Sequence, residues 1–338
     1  MKSQLCLLLA WFFTLPAFAE PLRIVTTTSD LKSVAEEIGG DKVGAISLAS
    51  GDEDPHFIQA KPSYMMKAKR ADLWIRIGLE LEIGYEGLIL DGSRNHKIRV
   101  GQPGHLDTSE GVIRLEVPTT QKVDRSMGDI HPLGNPHYWL DPWNGKIIAQ
   151  NICRRLCQLD PANADAYQKN YAAFCGKVDR AMFGDALIEK LGPDALWNAE
   201  LDNTLDAFVK QKDLEPALGG WVGKLRPYRG RKIITYHRSW SYFANRFGLI
   251  VADELEPKPG IPPSPGHVVD VINKVKAEEV KVLLMEPFYS RNAPELVANH
   301  TGIKIVEVAN SVGGQPEAAD YLSLISNIVE RLADAFKE

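Results

Sequence analysis

KIITYHRSWSYFANRFGLIV, residues 232–251, decides the fold. Residues 232–236 form a compact, β-branched run of strand length. His237 stands just past its end. Residues 240–247 have helical spacing and stop at Gly248, and residues 249–251 start a second strand. Strand, helix and strand joined by short connections is the unit of a parallel sheet with helices on its faces. The alternation continues outward. Downstream it predicts a helix over 268–277, a strand over 280–285, a helix over 293–301, a strand over 303–308 and a closing helix over 319–337. Upstream it predicts a strand over 22–26, a helix over 31–38 behind a Ser29-Asp30 cap, a strand over 43–48, a helix over 62–71 and a strand over 73–77.

Two such α/β runs are separated by helical sequence. Residues 144–159 read as a helix, broken at Asp160-Pro161. A second helix then runs over about 162–191, with Tyr167, Tyr171, Phe174, Val178, Met182 and Leu187 on one face. A helix of that length spans ~45 Å, enough to run the length of a two-lobed protein. The expected organisation is therefore an N-terminal α/β lobe over 20–160, a linking helix over 161–191 and a C-terminal α/β lobe over 192–338. Residues 91–135, rich in Gly, Pro, Asp and Thr, are expected as a rim loop. Residues 192–228, with Trp197 and Trp221, are expected as an insertion.

The first residues address the compartment. Lys2, an apolar run over 5–15 and Ala17-Phe18-Ala19 fit a cleavable signal peptide ending at Ala19. The run is shorter than the ~20 residues a membrane span needs. No cysteine stands at the cleavage point, so a free periplasmic protein is expected, not a lipoprotein. A net charge of -5 without a basic block gives no reason to expect nucleic acid. Cys153, Cys157 and Cys175 follow the signal; an odd number allows at most one internal disulfide, and no Cys/His partner pair stands at zinc-site spacing.

Three histidines stand where strands or turns end: His56 after Asp54-Pro55, His137 after Asn135-Pro136, and His237. Ligands of open α/β sheets bind at the carboxyl ends of strands. Three neutral imidazoles from distant segments enclose Zn²⁺ with one position left open, and Asp54 and Asp141 are placed to accept the other ring N–H. Eight histidines offer many triples, however, and spacing alone leaves surface or core roles open.

Longer motifs narrow the choice. Asp54-Pro55-His56 precedes Lys61-Pro62-Ser63. Asn135-Pro136-His137-Tyr138-Trp139-Leu140-Asp141-Pro142 follows, then Thr235-Tyr236-His237 with Trp240, Tyr242-Phe243 and Phe247-Gly248-Leu249. Further along stand Glu256-Pro257-Lys258-Pro259-Gly260-Ile261-Pro262-Pro263-Ser264 and Met285-Glu286-Pro287-Phe288. In these motifs the chain resembles the cluster A-I metal-binding proteins of ABC importers, which capture zinc or manganese in the periplasm. The resemblance implies two Rossmann-like lobes with parallel sheets, one long helix between them and a metal in the interlobe cleft. It implies His56, His137 and His237 as ligands, a membrane permease as partner and a monomer. The chain departs from the pattern at Asn310, where the family often carries an acid. That leaves Glu286, a water or Glu317 for the fourth position, with Glu286 preferred because it closes a strand. His131, six residues before His137, is close enough to assist.

Imidazole donors lean the metal to Zn²⁺ over Mn²⁺, the more so because manganese binders of the family tend to carry Glu where His237 stands. Competing readings are a periplasmic metallochaperone or adhesin without an importer, and a zinc hydrolase. The last is disfavoured, and a non-enzyme expected, because no HExxH, GxSxG or nucleophile–base pair is found.

Overall fold

The computed structural model describes residues 20–118, 131–256, 258 and 260–337. The expected signal peptide and residues 119–130 of the rim loop lie outside the described residues. In the N-terminal lobe β1 (Leu22–Thr26), β2 (Val43–Ser47), β3 (Leu73–Arg76) and β4 (His105–Asp107) pair in the order β2-β1-β3-β4, all parallel. In the C-terminal lobe β5 (Lys232–Thr235), β6 (Ile250–Glu254), β7 (Val282–Met285) and β8 (Lys304–Glu307) repeat the arrangement as β6-β5-β7-β8. Each sheet thus has a switch point beside its first strand, where ligands of such folds bind. In the second sheet His237 follows β5 and Glu286 follows β7, the two strands that flank that point.

Helices cover the sheets: α1 (Ser29–Gly39), α2 (Pro62–Lys69), α3 (Glu86–Ser93) and α4 (Pro142–Leu159) in the first lobe. The linking helix is shorter than its apolar spacing predicts. α5 (Ala164–Phe183) stops at Gly184, whose φ of 82° suits glycine, and the chain resumes as α6 (Asp185–Leu191). The apolar face continues across the break, which is why periodicity did not register it. Residues 192–228 are mostly helical: α7 (Pro193–Leu201), α8 (Leu205–Gln211) and α9 (Gly220–Leu225). Trp197 and Trp221 there join the main core, donating to Asp179 Oδ1 (2.6 Å) and Ser326 Oγ (3.0 Å). The second lobe adds α10 (Ser241–Phe247), α11 (Pro265–Ala277), α12 (Asn292–Thr301) and α13 (Tyr321–Lys337). The expected rim loop also contains the end of α3 and the edge strand β4, whose His105 is buried against Glu86 Oε1 at 3.0 Å.

One apolar cluster runs through both lobes, from Ile24 and Leu31 through Val178 to Trp240 and Leu324. Polar contacts cross with it. Val312 N donates to buried Asp30 at 2.9 Å, and Tyr321 Oη donates to the Trp139 carbonyl at 2.7 Å. Gly51 packs so tightly on the opposite lobe that a Cβ would lie 2.1 Å from the Val312 carbonyl oxygen. Arg246 on α10 grips Asp141 through two 2.8 Å hydrogen bonds, with both side chains almost fully buried.

Candidate metal centre

Two of the three histidines are presented by the same local device. In Asp54-Pro55-His56, Asp54 Oδ1 accepts both the His56 backbone N–H (2.9 Å) and its ring Nδ1 (2.8 Å). In Asn135-Pro136-His137, Asn135 Oδ1 accepts the backbone N–H (2.9 Å) and ring Nδ1 (2.8 Å) of His137. The intervening proline fixes its φ, so one Asx oxygen sets backbone and ring together. His237 leaves the end of β5, and its Nδ1 lies 2.5 Å from Glu256 Oε2.

These elements meet at one point. Ring centroids are 5.1 Å apart for His56 and His137, 5.5 Å for His56 and His237, and 5.3 Å for His137 and His237. One ligand atom from each lies within 4.8 Å of the others. With every Nδ1–H given to an oxygen, three Nε2 lone pairs are left for a cation.

His131 approaches His56 from the rim, its Nε2 3.3 Å from His56 Nε2, but like Glu286 it stands outside the group of mutually close ligand atoms. The spacing is close to the ~3.3 Å expected between nitrogens on one tetrahedral zinc with ~2.0–2.1 Å bonds.

Electrostatics keep His137 and His131 neutral and Asp54 ionised. Burial, then the neighbouring histidines, push His137 well below its ordinary pKa and His131 down to about 3. Burial pushes the Asp54 carboxyl up, but the hydrogen bonds and charge of His56 outweigh it and hold it at about 2.

The expected supporting and fourth-ligand residues fare differently. Asp54 orients His56 as anticipated. Asp141 does not orient His137; it caps α4 through the Trp143 N–H (2.9 Å) and pairs with Arg246, because the residue four positions on begins a helix that carries it away from the ring. Glu286 stands outside the group of mutually close ligand atoms. It is fully buried, and its oxygens have no hydrogen-bond partner of good geometry, although the Ser239 hydroxyl lowers its pKa somewhat. Burial, then Asp54 and Glu256, raise it to about 8, so it is a neutral acid at neutral pH. Glu317 is over half exposed and leans to Arg331 at 3.6 Å. Asn310 is buried, its backbone oxygen accepting from Trp139 Nε1 at 2.8 Å. The sequence reading missed Asn135, although it repeats the Asx-Pro-His spacing of Asp54. It also missed Glu256, nineteen positions from its histidine. Among the described residues Cys153, Cys157 and Cys175 are free thiols, and no helix is long and apolar enough to cross a membrane.

Known proteins resemble this chain in sequence and in fold. The sequence model of the family described as zinc-uptake complex component A, periplasmic, matches residues 24–182 and 210–335. The metal ABC transporter substrate-binding lipoprotein FimA of Streptococcus parasanguinis is 24% identical over 320 residues, covering 94% of this chain and 90% of its own. The manganese ABC transporter substrate-binding lipoprotein PsaA of Streptococcus pneumoniae is 24% identical over 323 residues, covering 95% and 90%. A crystal structure of ZnuA superposes with a TM-score of 0.70 at 23% identity, over 94% of this chain and 99% of that one.

Proposed function

We propose, from the premise that this chain belongs to the zinc-uptake complex component A family and is the metal-binding component of an ABC importer, that its cargo is Zn²⁺. The ion is held by Nε2 of His56, His137 and His237, with His131, beside His56, drawn in as the fourth ligand when the ion binds. The observation that carries this is the set of three Nδ1 atoms already bonded to Asp54, Asn135 and Glu256, which leaves the opposite nitrogens directed to one point. An all-imidazole set favours zinc over manganese, which prefers carboxylate and water oxygens. Copper(II) binds such donors more tightly still, so zinc selectivity rests on supply as well as on ligand type.

The chain is exported by cleavage after Ala19, carries zinc as a monomer between its lobes and surrenders it to a membrane permease. It does no chemistry on the ion. Its 20–160 and 192–338 lobes supply ligands from opposite walls of the cleft. Elemental analysis of protein isolated without added metal, followed by competitive titration with zinc and manganese, tests the assignment. Zinc should be retained and bind more tightly. Single replacement of His56, His137 or His237 by Ala should weaken it well over tenfold, and His131→Ala by less. Tighter manganese binding, or intact affinity in two of the three principal variants, refutes it.

A further inference from the structure

Tyr289 lies in the turn between β7 and α12, in the C-terminal lobe, and touches both walls of the cleft. Its hydroxyl donates to Asp54 Oδ2 of the N-terminal lobe at 3.1 Å. The other oxygen of the same carboxylate, Oδ1, holds the ring and backbone of His56. On its own side the Tyr289 ring stacks on Tyr236, with centroids 4.3 Å apart and planes at 9°. Tyr236 immediately precedes His237, and the Tyr289 ring is 6.0 Å from the His237 ring. One side chain therefore packs against the strand end that carries the C-lobe ligand and bonds the carboxylate that aims the N-lobe ligand.

We infer that Tyr289 is an interlobe latch: its hydroxyl fixes Asp54, and through Asp54 the His56 ring, only while the two walls of the cleft are closed. The inference rests on the metal-binding function proposed above. Tyr289 is a positioning residue and does not touch the ion. Its leverage follows from geometry. A small parting of the walls at residues 286–291 breaks a single 3.1 Å hydrogen bond. Asp54 then keeps only its bonds to His56 itself, loses its one anchor outside that turn, and holds the His56 ring less firmly. Opening by the importer would thus loosen one ligand without moving either sheet, a release step suited to a protein whose lobes share one core. The turn is built for such movement: it carries no helix or strand between Met285 and Asn292, and Tyr289 N–H returns to the Glu286 carbonyl at 3.3 Å.

The test is a double-mutant cycle on zinc dissociation, followed by a chelator chase of the full-length, zinc-loaded protein. Tyr289→Phe keeps the stacked ring and removes only the hydroxyl, so it should fold normally and release zinc about tenfold faster, the lower end of what loss of such a support costs. Asp54→Asn should also speed release. The decisive variant is the double one: if the hydroxyl acts through Asp54, Tyr289→Phe adds little to Asp54→Asn. An unchanged release rate in Tyr289→Phe overturns the latch. So does an equal acceleration by Tyr289→Phe in both backgrounds, which marks a packing role. Wild-type protein that binds no zinc in the same experiment shows instead that the function beneath it is wrong.

Discussion

Glu256 Oε2 lies 2.5 Å from Nδ1 of His237, and both side chains are buried. The carboxylate fixes the imidazole tautomer and makes Nε2 a better donor, the role such partners play in zinc sites generally. Glu256→Ala should therefore weaken zinc binding by about 10–100-fold although it removes no metal bond. Competition with a calibrated chelator measures this, and unchanged affinity would mean that His237 needs no orienting partner.

That pair also shows where the sequence was readable and where it was not. His56 and His137 each follow an Asx-Pro pair, so the ligand and its orienting oxygen lie within three consecutive positions. Glu256 becomes a neighbour of His237 only through tertiary structure: β6 runs parallel to β5, and Glu256 N–H bonds the Tyr236 carbonyl at 3.0 Å. The parallel sheets were visible because their strands are compact apolar runs. β4 was not, because three residues with a buried histidine carry no period. His131 could be noted only as near in sequence; its approach to His56 depends on how the rim folds back.

The proton count of binding follows from the depressed histidines. A group with lowered pKa stays neutral as pH falls through its ordinary value, so it has no proton for the metal to displace. His137 lies well below the ordinary range and His131 lies at about 3. At pH 6 zinc should therefore release no more than about two protons from four imidazoles. Calorimetry in buffers of different ionisation enthalpy counts them, and three or more would contradict the neutral pair.

Glu286 gives a stability signature of opposite sign to the usual acid. Its folded pKa is raised to about 8, so the folded state holds a proton that the unfolded chain loses near pH 4.5. Its contribution is complete below about pH 4.5 and declines as pH rises toward 8. Glu286→Gln mimics the protonated form. It should match wild type at pH 4.5 and melt at least about 5 °C higher at pH 8, with zinc affinity retained. Loss of zinc binding in this variant would return Glu286 to the coordination sphere.

Arg246 and Asp141 form a buried pair joining α10 to the start of α4. Arg246→Met keeps much of the volume but strands a buried carboxylate, with Glu200 also close by. The expected loss is about 3–5 kcal/mol of unfolding free energy, read from chemical denaturation. A loss below about 1 kcal/mol would mean that water replaces the guanidinium.

The shared core limits what zinc can move. Ile24, Val178, Trp240 and Leu324 belong to one packed cluster, and such packing resists continuous deformation. Large closure of one lobe on the other would have to break it. The rim is held more selectively. Asn135 N–H bonds the Leu115 carbonyl at 2.9 Å, its side-chain amide bonds the Arg238 carbonyl at 2.8 Å, and Tyr242 Oη donates to the Asn135 carbonyl at 2.8 Å. Those bonds need no metal, so the amides of Asn135 and His137 should be protected from hydrogen exchange with or without zinc. Just before them, His131 meets the cluster through His56 and Leu133 is exposed. A metal bond is the strongest restraint available to that end of the segment. Zinc should therefore slow exchange at the amides of His131 and Leu133 and leave the radius of gyration unchanged within error. Uniform slowing across the C-terminal lobe, or a marked contraction in solution scattering, would refute a rim-centred response and favour closure of whole lobes.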